Sequence, residues 1–546
     1  MSADEGGRAP ALTRLDLGQI ALLRAVVSVC LLVAGFRAVS DDDFARVVIA
    51  QEWAHAPKLD PSGTSWLPFP FWLTGAVMLL LGRSLFVAQI VAFALGVASS
   101  LLVAISAHRI TASRRAAVIA GLACSLVGWS AWLGVATVPE LFTAALTLFA
   151  AASLTTSSPR DRFFGALALL AATLSRYEPW PVAITFALWT IARPPVLRAP
   201  APAPTSRLAG ALFRLAPAAI ALAGPVLWIA WNRVAHGDPF HFVARVAAYH
   251  RAVGQASSDG VAARLLAYPS AFARELPEVL LALLIASVAA LYPRWRPEIA
   301  RSARRSAAPL VLAAAQVAAL SISLVKDGAP THHPERALLF PALALVVLAA
   351  DVAGGALSRS SGAAPTPRIG ASRATPATRA TTVARAAAVA AVLLLARAIL
   401  LPVALREEAA VRSVRGGWLL LGAGPRETFA DRRAETDAGA LAASELSPGA
   451  RAYLEDVRDY AYFAVQAGSG RPESLLPSRE IDPRHPGKER TFESERHLHA
   501  WLVENGFRLV IARRATGDQA PARFGKAPLH RTDRYVFWAV PDVASP

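Results

Sequence analysis

The side chains that could do chemistry in this 546-residue sequence are few, and they fall between long apolar runs. The densest group is Ser40-Asp41-Asp42-Asp43-Phe44, directly after the first run. Three adjacent carboxylates repel one another, and partial burial raises the pKa of at least one. Such a group suits a general base toward a hydroxyl or amine, or a ligand to a divalent cation. Neighbouring residues do not share a helix face, so one or two of the three point into any cavity. The plainer alternative is a solvated helix cap. Glu52-Trp53-Ala54-His55 follows, then Trp66-Leu67-Pro68-Phe69-Pro70-Phe71-Trp72. Aromatic residues at this density suit a membrane interface first; Trp66 also suits stacking on the C–H face of a sugar.

Three further groups interrupt apolar sequence. Thr137-Val138-Pro139-Glu140 places a carboxylate where two runs meet almost without a loop. It faces protein or a water-filled cavity, or it serves a helix N-terminus. Ser175-Arg176-Tyr177-Glu178-Pro179 sets an arginine and a glutamate inside an apolar stretch, as a site or as a structural ion pair at a kink. Lys326-Asp327-Gly328 leads to His332-His333-Pro334-Glu335-Arg336. Arginine holds a phosphate in a bidentate fork and lysine holds it as a point charge; the simpler role for both is anchoring at a membrane edge.

The elements that position these residues are read from hydropathy. Hydrophobic residues make up 54% of the chain, charged residues 17%, and mean hydropathy is +0.40. A helix needs about 20 apolar residues to cross a bilayer. Candidate spans are 17–39, 85–106, 115–133, 138–156, 163–175, 179–192, 211–231, 277–293, 308–325, 336–354 and 383–405. The pair 163–175 and 179–192 is short, so one of them is a candidate for a broken or tilted helix. Segment 68–82 is proline-led and reads as a helix lying in the interface. The fold class is therefore mainly α: a polytopic bundle of about eleven spans over 17–405, after a cytoplasmic tail at 1–16.

Residues 406–546 read as an α/β domain outside the membrane. A helix is expected from Ser494 to Gly506. Strands are expected at 507–511 and 535–540, and a strand followed by a helix over 452–465.

Charge supplies an orientation. The net charge is +17, and of the 56 basic residues all but Lys58, Lys326, Lys488 and Lys526 are arginine. Their grouping in alternate short loops fits the positive-inside rule rather than a nucleic-acid surface. That rule puts the N-terminus in the cytoplasm and the acidic motif, Glu140, Tyr177-Glu178, the two histidines and the C-terminal domain on the opposite face. The N-terminal run lacks a clear cleavage site and reads as a signal anchor. Cys30 and Cys124 both fall in apolar runs and offer neither a disulfide framework nor a thiolate metal site.

The order of these features resembles the GT-C superfamily of glycosyltransferases, particularly its protein O-mannosyltransferase-like and lipid A aminoarabinose transferase-like branch. The shared features are an acidic motif after span one, a Pro/aromatic stretch running to Gly82-Arg83-Ser84, Pro139-Glu140 heading a later span, Arg176-Tyr177-Glu178 breaking the membrane region, and His333-Pro334-Glu335-Arg336 before a late span. The resemblance implies an inner-membrane enzyme that moves a sugar from a polyprenyl-phosphate donor to a lipid, glycan or protein acceptor on the non-cytoplasmic face. It implies inverting displacement without a tightly bound cofactor; a divalent cation at Asp41–Asp43 stays open. The family motif is usually Asp-Glu, whereas this chain has Asp-Asp-Asp. Asp42 is accordingly the first choice for the catalytic carboxylate, with Asp43 and Asp41 in reserve. Glu140, Arg176, Tyr177, Glu178, Lys326, His332, His333, Arg336, His55 and Trp66 are the expected substrate-binding residues. A transporter or flippase for a lipid-linked intermediate is the rival reading, and a non-catalytic assembly protein is a third.

Overall fold

A computed structural model describes residues 11–33, 36–63, 65–192, 207–252, 260–276, 279, 296–326, 334–360, 432–455, 457, 460–478, 492–514 and 523–541. The expected spans 277–293 and 383–405, apart from Val279, lie outside these residues, as do His332, His333 and the stretches 193–206, 361–382 and 406–431.

The chain is mostly helical. Its first ten helices are α1 (Arg14–Val33), α2 (Asp41–His55), α3 (Phe69–Leu81), α4 (Leu85–Thr111), α5 (Arg114–Leu126), α6 (Gly128–Leu133), α7 (Glu140–Ser153), α8 (Pro159–Thr173), α9 (Pro179–Ala192) and α10 (Arg207–His236). Helices His241–Ala252, Val261–Glu275, Arg296–Arg305, Ala307–Val325, Pro334–Ala337 and Leu339–Ser360 follow. Arg14–Val33, Leu85–Thr111, Leu215–His236 and Ala307–Val325 are long and apolar enough to cross a membrane. Phe69–Leu81, Glu140–Ser153, Pro179–Ala192 and Leu339–Gly355 are apolar and shorter. With 13 residues, α3 rises about 20 Å, well short of a bilayer core of about 30 Å.

Two differences from the hydropathy reading have local causes. The stretch 115–133 is not one helix. Val127 is extended, and the chain restarts as the six-residue α6. The stretch between α10 and the expected span 277–293, where the hydropathy reading has no element, holds the helices His241–Ala252 and Val261–Glu275. Their polar and basic content hides them from a search for apolar runs.

The bundle core gathers small and branched side chains from α1, α4 to α9 and the helices Ala307–Val325 and Leu339–Ser360. Close approach is specific at one point that matters for the site. A Cβ on Gly96 of α4 would collide with the carbonyl oxygen of Gly134. A Cβ on Gly134 would overlap the guanidinium of Arg24, itself buried in α1. Arg24 donates to the carbonyls of Ser130 (2.9 Å) and Ala131 (3.3 Å). The segment between α6 and α7 is thus wedged between α1 and α4; it carries Thr137 and leads into Glu140, the first residue of α7.

The C-terminal region has helices Arg433–Glu445, Tyr462–Ser469 and Glu495–Glu504 and strands β1 (Arg451–Glu455), β2 (Leu475–Pro477), β3 (Phe507–Arg513), β4 (His530–Arg531) and β5 (Tyr535–Ala539). The sheet order is β2-β1-β3-β5-β4. β1 pairs in parallel with β2 and β3, while β5 is antiparallel to β3 and β4. The Ser494 side chain accepts from the His497 N–H, and Gly506 follows the helix at φ +73°, as the cap residues predict. β2 and the helix Arg433–Glu445 were not anticipated.

Candidate active site

The triple aspartate starts α2, and its three carboxylates go to three different places. Asp43 is buried. Its Oδ2 accepts from the N–H groups of Val39 (3.1 Å) and Ser40 (3.2 Å), and its Oδ1 accepts from the N–H (2.9 Å) and Oγ1 (3.3 Å) of Thr137. Thr137 Oγ1 also lies 2.9 Å from the Asp43 carbonyl, to which it can donate. Asp43 therefore caps its own helix and latches it to the wedge before α7. Burial pushes its carboxyl up to about 6, against the opposing pull of Arg336 and its hydrogen bonds. Asp41 turns the other way and is gripped by Arg432, with Nε and Nη2 at 2.8 and 2.9 Å from its two oxygens. Asp42 has a half-exposed side chain and faces Arg336, whose Nη1 is 3.7 Å away. Among the described residues no group of three His, Cys, Asp or Glu side chains comes together as a metal site requires.

Arg336 ties the late helix to the first loop. Its side chain is only 3% exposed. Nη2 donates to Ser40 Oγ at 3.2 Å, and Nη1 lies 3.9 Å from Glu140 Oε1. Glu140, at the start of α7, also accepts from Arg176 at 2.6 Å. Arg176 in turn holds Glu178, with Nε at 2.9 and 3.0 Å from its two carboxylate oxygens. Residues far apart in sequence thus converge: Ser40 and Asp42 from the first loop, Glu140, the pair Arg176 and Glu178, and Arg336.

Arg46 completes the cluster and was not foreseen. It lies in α2 one helical turn past Asp42 and is buried. Its guanidinium carbon sits 4.5 Å from the ring centroid of Trp66 and 5.9 Å from that of Phe71, a cation–π arrangement. Its charged neighbours include Glu140, Asp42, Arg176 and Arg336. Its Nε has no hydrogen-bond partner. The available signal was a lone arginine in the otherwise apolar run Phe44–Ala50, where a buried charge needs a reason.

Arg46 and Thr137 line an open cleft of about 640 Å³. The remaining walls are mostly apolar and come from α3, α4 and α7, including Phe69, Phe71, Val91, Leu95 and Phe142.

The other expected residues take different positions. The Tyr177 hydroxyl donates to the Ser65 carbonyl (2.7 Å) and accepts from Trp228 Nε1 (3.1 Å), and its ring stacks on Phe242. Tyr177 therefore packs α9 against α10. His55 is exposed at the end of α2, 3.9 Å from Glu473. Lys326 is exposed at the end of the helix Ala307–Val325, and no ion pair joins it to the cluster among the described residues.

The C-terminal region docks on the other side of α2. Ala464 and Ala467 pack with Phe44, Val47, Val48 and Met78. Gln51, fully buried, donates to the carbonyls of Ala467 (2.9 Å) and Arg83 (3.1 Å). Arg83 pairs with both oxygens of Glu473 at 3.0 and 2.8 Å.

No family model and no curated protein matches the sequence. Solved structures do match the fold. ArnT from Cupriavidus metallidurans bound to undecaprenyl phosphate is 17% identical, over 97% of this chain and 99% of that one, with a TM-score of 0.57. The same protein in its apo state matches over the same shares with a TM-score of 0.53. The archaeal oligosaccharyltransferase AglB from Archaeoglobus fulgidus, in complex with an inhibitory peptide and a dolichol-phosphate, gives 0.45 at 13% identity, over 91% of this chain and 69% of that one. ArnT has the GT-C fold, and this chain shares it.

Proposed function

We propose that this chain, which has the GT-C fold, is a membrane glycosyltransferase that moves a sugar from a polyprenyl-phosphate donor to an acceptor at the non-cytoplasmic face. The observation that carries the reading is the meeting of Asp42 and Arg336, 3.7 Å apart, beside Arg46, which lines a mostly apolar cleft. A phosphate on a long hydrocarbon tail asks for that combination: arginine donors for the head and an apolar wall for the chain. The ArnT structure, with which this chain shares its fold, was determined with undecaprenyl phosphate bound.

Arg336 and Arg46 are the natural phosphate ligands, because Arg46 keeps an unpartnered buried Nε and the Arg336 Nη1 contacts to carboxylates are long, at 3.7 and 3.9 Å, while Arg176 is engaged by Glu178 and Glu140. Asp42 acts as general base. It takes the proton from the acceptor hydroxyl or amine as the acceptor attacks the anomeric carbon. The bond from that carbon to the phosphate oxygen breaks, and the polyprenyl phosphate leaves as an anion. Arg336 and Arg46 stabilise the charge growing on it. One displacement inverts the anomeric centre. Asp43, by latching α2 to Thr137, holds Asp42 toward Arg336. Asp41 holds the C-terminal region, which lies on the same outer face. The carboxylates of Asp41, Asp42 and Asp43 diverge to separate partners and do not share a centre that would hold a cation.

The purified protein, reconstituted in vesicles, is tested for transfer of labelled sugar from polyprenyl-phosphate-sugar donors to an extracted envelope acceptor fraction. Transfer with inversion supports the enzyme. Movement of the intact donor between leaflets without any transfer supports the flippase instead and removes the proposal.

A further inference from the structure

Arg336 also lines a second, smaller and partly open cleft of about 240 Å³. Its walls come from α7, the Arg176–Pro179 turn, the helix Ala307–Val325 and the start of the last long helix. Four of its residues carry buried polar atoms with no hydrogen-bond partner: Glu140 Oε2, Thr143 Oγ1, Gln316 Oε1 and Arg336 Nε. Buried polar atoms are satisfied in the great majority of folded proteins, and a set left open in one place calls for a missing partner.

The identity of the four atoms narrows that partner. Glu140 Oε2 and Gln316 Oε1 can only accept. The Gln316 amide is fixed in this sense because its nitrogen donates to the Ala337 carbonyl at 2.7 Å. Arg336 Nε can only donate, and the Thr143 hydroxyl does either. A phosphate only accepts and leaves Glu140 and Gln316 unsatisfied. A hydrocarbon tail satisfies none of them. A hydroxyl both donates and accepts. The adjoining walls of Phe340 and Pro179 are apolar, which suits the C–H face of a sugar ring.

We infer that this cavity receives the hydroxyl-bearing edge of the transferred sugar, and that Gln316 and Thr143 read its hydroxyl pattern. The inference rests on the proposed sugar-transfer function. Arg336 lines the cavity and contacts the first loop, with Nε unpartnered and its other nitrogens toward Ser40 and Asp42. It is therefore placed to hold the donor phosphate while the sugar lies in the cavity. Gln316 sits in the middle of an apolar helix. Its amide gives that helix a polar reader at the depth of the cavity.

The test compares two lipids on the full-length protein: polyprenyl phosphate carrying one hexose, and bare polyprenyl phosphate. Gln316→Leu is expected to weaken binding of the sugar-bearing lipid by about tenfold or more, since a site built around a hydroxyl discriminates strongly against its loss. Binding of the bare lipid should stay within about twofold. Thr143→Val, close to isosteric, keeps the test valid should Gln316→Leu fail to fold, and should shift the same ratio in the same direction. Equal weakening of both lipids, or no change in either, overturns the assignment and leaves the cavity to water. A wild-type protein that binds neither lipid overturns the function itself, a result distinct from failure of the sugar-reading role.

Discussion

The two sides of α2 hold their charged groups in opposite ways. Toward the C-terminal region the charged groups are matched, Asp41 with Arg432 and Arg83 with Glu473; the Gln51 amide nitrogen donates to two carbonyls, and its Oε1 alone stays open. Toward the bundle the groups are more deeply buried and less completely matched. Arg46, Arg336 and Glu140 each keep an atom without a partner, and the Asp42–Arg336 contact is long at 3.7 Å. Matched pairs at a half-exposed surface fasten one part of a protein to another. Open hydrogen-bonding capacity in a buried cluster is costly to folding, and it is retained where a ligand completes it. One helix thus separates a docking face from a reacting face, and adjacent aspartates in its first turn serve one each.

Substitutions on the two faces sharpen this contrast. The largest effect is expected for Arg336→Leu. It removes a phosphate donor and strips Asp42 and Glu140 of a buried counter-charge, so transfer from a polyprenyl-phosphate donor should fall below detection. A variant retaining substantial turnover would take Arg336 out of the site. Asp43→Asn should act on stability first. The amide oxygen replaces a carboxylate that accepts four hydrogen bonds, so the unfolding free energy in detergent should drop by about 1–3 kcal/mol.

The same variant carries a pH signature. The folded-state pKa of Asp43 is raised to about 6, above the usual Asp value of about 3.9. The folded form therefore binds this proton more tightly than the unfolded chain. Its contribution favours folding at acid pH and is lost as pH rises from about 4 to about 6. Thermal denaturation across that window should show this component in the wild type and lack it in Asp43→Asn. The smallest effect is expected for Arg432→Ala. This partly exposed pair is worth about 1 kcal/mol or less. Limited proteolysis should report looser docking of the C-terminal region, and transfer should stay within a few-fold of wild type.

The sequence made the membrane architecture and the meeting of Asp42, Glu140, Arg176 and Arg336 legible, for a physical reason. Charged residues inside long apolar runs are too costly to leave alone, so each one announces a partner. Hydropathy failed where a helix is not apolar, as in His241–Ala252. It also failed where a span breaks within apolar sequence, at Val127. Arg46 escaped because it lies within a helix rather than at the end of a run, and its environment is created by Trp66 and Phe71 folding over it. Tyr177 was expected among the substrate-binding residues. Its engagement by Ser65 and Trp228 depends on α10, which sequence order alone does not bring near. The division of labour among Asp41, Asp42 and Asp43 was beyond sequence, because it is decided by Arg432, Arg336 and Thr137, which arrive from elsewhere in the chain.

The most direct measurement is sugar transfer by the three single variants Asp41→Asn, Asp42→Asn and Asp43→Asn, each normalised to folded protein in the same vesicles. Asp42→Asn should lose about 10²–10⁴-fold, the usual contribution of a general base, with wild-type thermal stability. Asp41→Asn and Asp43→Asn should keep most of their turnover per folded molecule. Full activity in Asp42→Asn, or a loss of that size in either neighbour instead, would contradict the assignment of the reacting carboxylate.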